Sequence, residues 1–272
     1  MKVNFISLLL SGVGLISSVG HCQLKPVGEL PLEHVRLASV DRLGNFYFVL
    51  PDNRLQSYSP EVVLQNETVL DGPAVTLIEP WNPLKIFLYS RQEQAYRFYD
   101  RKLSLLEAHA LDPSLSIEPL LVCPAQEVNK IWILDSVEGF LKKIDEASLS
   151  IDLEAKLPVT GSATNHDYIF MRAYQNRLFL LDGKVGIYIF NNLGKLITTI
   201  HAPGLVFFNF LGEELCYRRG KEILLFDIYT GAERKVADLE EEEPILFTLI
   251  TDERLLVVTN RGISFYQYEL KD

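Results

Sequence analysis

Three cysteines and five histidines are all that this 272-residue chain offers of the side chains that most often bridge strands or hold transition metals. So few thiols exclude a disulfide-dense scaffold. The sequence contains no Cys-x-x-Cys, no His-Glu-x-x-His, no Walker loop, no Gly-x-Ser-x-Gly and no Ser-x-Asp-x-Gly-x-x-Trp repeat, so the short signatures of familiar enzymes are missing. Basic residues are scarce too. With 26 Lys and Arg against 36 Asp and Glu, the formal charge is −10, which argues against a nucleic-acid partner or a polybasic membrane contact. No amphipathic helical stretch of useful length is present beyond Gln23. What remains is 48% hydrophobic and 23% charged, the make-up of a chain that buries a substantial core.

The N-terminus has a different make-up. Lys2 gives a positive start, Phe5 to Val19 is apolar apart from Ser and Gly, and Ser17-Ser18-Val19-Gly20 brings small residues to a cleavage point. Residues 1–22 therefore read as a secretory signal peptide, and residues 23–272 as one exported domain. Four serines and three glycines ahead of His21 speak against a membrane-spanning helix, which needs roughly 20 strongly apolar residues. Removing residues 1–22 leaves 25 basic against 36 acidic residues. Cys22 admits two readings. Val19-Gly20-His21-Cys22 resembles a bacterial lipobox with His21 where a small residue belongs, so Cys22 would be lipidated and the chain attached to a membrane. Otherwise cleavage falls beside Cys22, Gln23 lies near the new N-terminus and no membrane contact is expected. Cys123 and Cys216, both flanked by apolar residues, are expected to be buried free thiols.

The rest of the chain repeats itself. Six times, a strand rich in aromatic or branched residues is followed by a tight polar turn and a second strand, as in Gly44 to Phe48 then Asn53 to Tyr58, or Asn129 to Leu134 then Phe140 to Asp145. With Phe46, Ile86, Ile131, Leu178, Leu215 and Leu255 as anchors, the spacings are 40, 45, 47, 37 and 40 residues. An apolar strand precedes each hairpin, beginning with His34 to Val40 and ending with Ile245 to Thr251. A fourth strand follows the first five, whereas the sixth unit runs out at Leu270. Leu24 to Leu30 is an unassigned strand-like segment at the other terminus, and it supplies what the sixth unit lacks. The reading is an all-β, six-bladed β-propeller closed by an N-terminal outer strand.

Asp41-Arg42-Leu43-Gly44-Asn45-Phe46-Tyr47, with its hairpin ending at Tyr58, resembles the opening of bacterial NHL-type and YncE-like propeller repeats. The arrangement as a whole, including Trp81-Asn82-Pro83-Leu84-Lys85-Ile86, also resembles a group of exported propellers of Bacteroidota cell envelopes. That resemblance implies a Gram-negative periplasm or cell surface. It implies no catalytic residues and no cofactor, because such blades host binding, scaffolding and enzymatic roles alike.

A rigid disc with varied loops and no converging reactive groups reads as a non-enzymatic envelope module that binds a protein partner. The alternative is a hydrolase or lactonase at the central channel. Its metal would need carboxylates from the inner strands, which are largely apolar, with only Asp41, Glu79 and Glu118 near their ends. His34, His109, His166 and His201 are scattered over different units and lack ligand spacing.

Strand alternation puts the turn between strands two and three, and the link to the next unit, at one end of the ring. That end should carry the link Pro158 to Asp167 with Thr164, Asn165, His166 and Asp167, and the basic turn Arg218, Arg219 and Lys221 beside the acidic run Glu240 to Glu243. These loops are the first candidates for partner binding, although the link also reads as a solvated insertion and the charged patch reads first as a solvated connector with partial local neutralisation. Trp81, held between Pro80 and Pro83, belongs to the opposite end, where it suits an interface or a plug over the ring. Asn66-Glu67-Thr68 and Asp135-Ser136-Val137 match three-residue glycosylation motifs that chance also produces.

Overall fold

The computed structural model describes residues 24–157, 166–239 and 243–268. Among these, twenty-four strands and no helix make six four-stranded antiparallel sheets. The chain enters through β1 (Lys25–Leu30). Blade 1 follows as β2 (Leu37–Val40), β3 (Phe46–Val49), β4 (Arg54–Tyr58) and β5 (Leu64–Val69). Blade 2 is β6 (Leu77–Glu79), β7 (Ile86–Ser90), β8 (Ala95–Tyr99) and β9 (Leu105–Ala110). In blade 3 the strands are β10 (Pro119–Pro124), β11 (Lys130–Asp135), β12 (Phe140–Asp145) and β13 (Ser150–Lys156). Next come β14 (Tyr168–Tyr174), β15 (Arg177–Asp182), β16 (Gly186–Asn191) and β17 (Leu196–His201) of blade 4. Blade 5 has β18 (Phe208–Leu211), β19 (Glu214–Arg219), β20 (Glu222–Asp227) and β21 (Glu233–Asp238). Blade 6 ends the chain with β22 (Phe247–Ile250), β23 (Arg254–Val258) and β24 (Ile263–Gln267).

Its fourth strand is β1. Lys25 stands opposite Gln267 and Leu30 opposite Ile263, antiparallel, so the two ends of the chain share one sheet and the ring closes as the residue pattern requires. First strands contact one another around the axis, β2 with β6, β6 with β10, β10 with β14, β18 with β22 and β22 with β2. Second and third strands are the best buried, in blade 1 through Phe46, Phe48 and Leu55, and in blade 4 through Phe179, Tyr188 and Phe190. Fourth strands are largely exposed, as the polar centre of β5 leads one to expect, and β9 is exposed along its whole length although it carries Leu105 and Leu106. Cys123 and Cys216 are buried and free, on blades 3 and 5.

The turns explain why so many third strands stop at Asp or Asn. Asp100, Asp145, Asn191 and Asp227 each accept backbone N–H bonds from residues two to four positions on, through a side-chain oxygen. The turn then needs a left-handed residue, which is Gly194 in blade 4 and Gly231 in blade 5, with φ of 70° and 74°. The first-to-second and third-to-fourth turns share one end of the ring, here the Trp81 end. The second-to-third turns and inter-blade links share the other, the Asp135 end.

Candidate functional site

At the Asp135 end the polar groups are turned inward. Asp135 closes β11 and is fully buried, and its carboxylate accepts five hydrogen bonds: from Ser116 Oγ at 2.5 Å and the amides of Ile117, Glu118, Val137 and Glu138 at 2.7, 3.3, 3.0 and 2.9 Å. Burial alone would raise its pKa, and these donors outweigh burial to hold it below the usual carboxylate range. Asp182 repeats the device one blade on. It accepts from Nδ1 of His166 at 2.6 Å and from the amides of Asp167 and Lys184 at 3.2 and 2.9 Å. His166 also stacks on Tyr168, with centroids 5.0 Å apart and planes 8° from parallel. His166 and Asp167 thus fasten the link to blade 4, while Thr164 and Asn165, like Cys22, lie outside the described residues.

The basic turn is likewise engaged. Arg219 pairs with Glu233 on β21, two strands away across β20, at 2.7 and 3.2 Å, and the Tyr217 hydroxyl donates to the same carboxylate. Arg218 donates to the Gly220 carbonyl at 2.5 Å, and burial pushes its pKa below the usual guanidinium value. The exposed Lys221 accepts the Leu239 amide on its own carbonyl. Of the acidic run, Glu243 pairs with Arg261 at 2.5 Å, and residues 240–242 are not described.

The axis holds a buried ion pair that residue patterning does not disclose. Arg172 projects from β14 at 2% exposure and reaches Glu79 on β6. Nη2 donates to Glu79 Oε1 at 2.8 Å and to Ser39 Oγ of β2 at 3.1 Å, and Nε donates to Glu79 Oε2. Three blades are therefore tied across the channel. Burial raises the pKa of the nearby Cys123 thiol, and the Glu79 charge adds to the effect, so this cysteine is a core residue rather than a nucleophile. The three carboxylates singled out from the sequence go separate ways: Glu79 to Arg172, Glu118 to Arg91 at 2.5 Å, and Asp41 to its own hairpin. Asp41 accepts the amides of Leu43 and Asn45, the Asn45 side chain and the Tyr47 hydroxyl. Among the described residues no group of three His, Cys, Asp or Glu is arranged to hold a metal ion.

Trp81 sits above this pair. Its amide donates to Glu79 Oε1 at 3.0 Å, its carbonyl accepts from Arg42, and Asn82 caps the rest of the turn through Leu84 N and Lys85 N. The half-buried indole lines two cavities. The first, of about 420 Å³, is bounded by the first-to-second turns of blades 1, 2, 5 and 6, the third-to-fourth turn of blade 1 and the end of β14, with Trp81, Tyr174 and Phe210 in its floor and Arg42, Glu61, Asp252 and Glu253 around it. Trp81 meets Tyr174 edge-on at 5.1 Å, and Tyr174 stacks on Phe210 at 4.0 Å. The second cavity, of about 440 Å³, lies over blades 2 and 3 and is lined by Phe98, Pro124, Ala125 and Val128 together with Lys85, Glu127, Lys130 and Glu146. Each of those charged groups has an internal partner: Glu107, Lys143, Asp152 and the Tyr96 hydroxyl, in that order. Three successive turns also leave Leu43, Leu84 and Val128 at 63, 62 and 84% exposure around Trp81.

No protein-family model matches the sequence, and no curated protein matches it. Solved structures do resemble the fold. The BBS1 N-terminal domain, solved in complex with ARL6, superposes with TM-score 0.61 at 10% identity, over 92% of this chain and 98% of that one. The WD40 domain of Neurospora crassa Pan2 gives 0.58 at 7% identity over 88% and 90%. A streptogramin B lyase gives 0.54 at 13% identity over 92% and 98%. The likeness shows a β-propeller and reaches no further, since this fold serves both interaction domains and enzymes.

Proposed function

We propose that this chain is a non-enzymatic envelope module that docks a protein partner on its Trp81 end. The observation that carries the reading is the coincidence of two cavities, a half-exposed tryptophan and three exposed aliphatic side chains on one end of a rigid ring. Buried aromatic anchors beside pockets are the usual energetic centres of interfaces, and a contiguous apolar patch marks a contact surface. Similar folds are found in complexes, as the BBS1 domain is with ARL6. The lyases of the same fold support a second reading, a hydrolase or lactonase at the channel mouth, to which Glu61, Asp252 and Glu253 would contribute. Export to a Gram-negative periplasm or cell surface, and membership among NHL-like or YncE-like exported propellers, belong to the same proposal. They rest on residues 1–22 and on the Asp41 to Tyr47 repeat opening.

The test is affinity capture from envelope extracts of the host cell with the wild type, Trp81→Ala and the double variant Arg218→Glu/Arg219→Glu. Trp81→Ala should reduce recovery of the partner about tenfold or more, as for an interface hot spot, and the arginine variant should leave it within about twofold. The reverse result moves the interface to the end carrying His166, Asp167, Arg218, Arg219 and Lys221. Mass spectrometry of the mature N-terminus decides export: a terminus near Gln23 or a lipidated Cys22 supports it, and an intact Met1 ends it.

A further inference from the structure

We propose that the cavity floored by Trp81, Tyr174 and Phe210 is a subsite for a basic side chain, an arginine or lysine presented by the docked protein. The inference rests on the docking reading and adds the chemistry of what the cavity takes. Its floor is a fixed chain of rings. Tyr174 is clamped by its stack on Phe210 and by a hydroxyl bond to the Gly212 carbonyl at 2.7 Å, and Trp81 is set edge-on against it. Tryptophan presents the strongest π-face to a cation, and a clamped one loses little freedom when a cation settles on it.

The surrounding charge has the complementary sign. Asp41 is already saturated by its hairpin, which leaves the exposed carboxylates Glu61, Asp252 and Glu253 against two guanidiniums, Arg42 in the lining and Arg254, whose charge acts on Glu61, so the negative sign prevails. Asp252 and Glu253 form no ion pair among the described residues. The adjoining cavity shares Trp81 and has similar volume, but its Lys85, Glu127 and Lys130 are each paired with a residue outside it and Glu146 accepts the Tyr96 hydroxyl, so its charged groups are already engaged. Two cavities around one indole therefore differ in the ligand they suit, and the basic side chain belongs in the first. Three exposed carboxylates with aromatic flooring suit a large, weakly hydrated cation better than a metal ion, which needs converging oxygens.

The experiment is a titration of the purified protein, followed by tryptophan fluorescence, with the capped tripeptide Gly-Arg-Gly and its isosteric citrulline counterpart at low ionic strength. Trp81 is the responding indole because Trp132 is buried at 2% exposure. The arginine peptide should bind saturably and at least about fivefold more tightly than the citrulline peptide, with the preference eroding as salt is added. The variant Asp252→Asn/Glu253→Gln should weaken the arginine peptide about threefold or more, leave the citrulline peptide unchanged and unfold at the wild-type temperature. Equal binding of the two peptides, no saturable response to either, or indifference to the charge variant would overturn the inference. So would tighter binding of tetramethylammonium than of the arginine peptide, which would assign the cavity to a free quaternary amine. If partner capture depends on Trp81 while the two peptides bind alike, the docking end stands and the basic subsite falls. If capture ignores Trp81, the docking reading falls, and the peptide ratio alone judges the cavity.

Discussion

Both ends of the ring are rich in carboxylates, but the groups are used in opposite ways. At the Asp135 end, two buried aspartates on successive blades gather amides, a hydroxyl and the His166 ring, and Arg219 is held by Glu233, so polar chemistry is consumed in fastening links to blades. At the Trp81 end, Asp252 and Glu253 face solvent without an ion-pair partner among the described residues, beside a clamped aromatic floor, and exposed aliphatic side chains ring the indole. A polar group already supplied with partners has little left to offer a ligand, whereas an unpaired charge beside an apolar surface gains from one. Loop length and density of charge, the features that favour the Asp135 end from residues alone, do not register this difference. Hydrogen-bond accounting does.

The sharpest way to test the separation is at the axis, between the ends. Arg172→Met leaves Glu79 buried without its partner, which should cost roughly 3–5 kcal/mol by denaturant unfolding, whereas Arg172→Met/Glu79→Met should recover most of that loss. Because Glu79 also accepts the Trp81 amide, the double variant should loosen the Trp81 turn in hydrogen exchange and leave the amides around Asp135 protected. Equal loosening at both ends would mean that the axis pair does not belong to the Trp81 end at all.

Next in size is Asp135→Asn. The amide presents one acceptor oxygen where the carboxylate had two and turns an NH₂ toward amide donors, so a loss of about 2–3 kcal/mol is expected. Its pH dependence has a definite sign. The native pKa of Asp135 is depressed, so its contribution is present above the unfolded value of about 3.9 and is lost as pH falls through the native one. The stability gap between wild type and Asp135→Asn should thus be constant near neutrality and narrow below about pH 4. A gap that widens in acid would show that the hydrogen bonds are not made by the ionised group.

Much of this architecture is readable from residues, and the limits have physical causes. Hairpins such as Phe46 to Tyr58 stand out because their second and third strands are buried on both faces, and the missing fourth strand of blade 6 points to β1. β14 coincides with the run Tyr168 to Tyr174, but other first strands are shorter than the apolar runs that announce them. His34 to Val40 contains a four-residue strand, and Leu205 to Leu211 another, because Val35, Leu205 and Phe207 are buried in links and pair with no strand. Arg172 is one charge within Tyr168 to Tyr174, and its partner lies 93 residues away on another blade, a relation that only ring closure creates. Trp81 draws notice through its prolines, but the cavity it lines is assembled from residues of five blades, which no local pattern encodes.

The smallest effect separates the ends at their surfaces. Arg219→Glu removes a guanidinium at 45% exposure from Glu233 and sets a second carboxylate beside it, so roughly 0.5–1 kcal/mol should be lost at low salt, and less as ionic strength rises. Asp252→Asn/Glu253→Gln removes two charges that answer no ion-pair partner among the described residues, in a protein already carrying a formal charge of −10, so its unfolding free energy should stay within about 0.5 kcal/mol of wild type or rise slightly. Matched chemical denaturation at two salt concentrations distinguishes the pair. If neutralising Asp252 and Glu253 destabilises the fold as much as reversing Arg219 does, those carboxylates have structural work of their own, and the contrast between a fastened end and an available one fails where the ligand subsite needs it most.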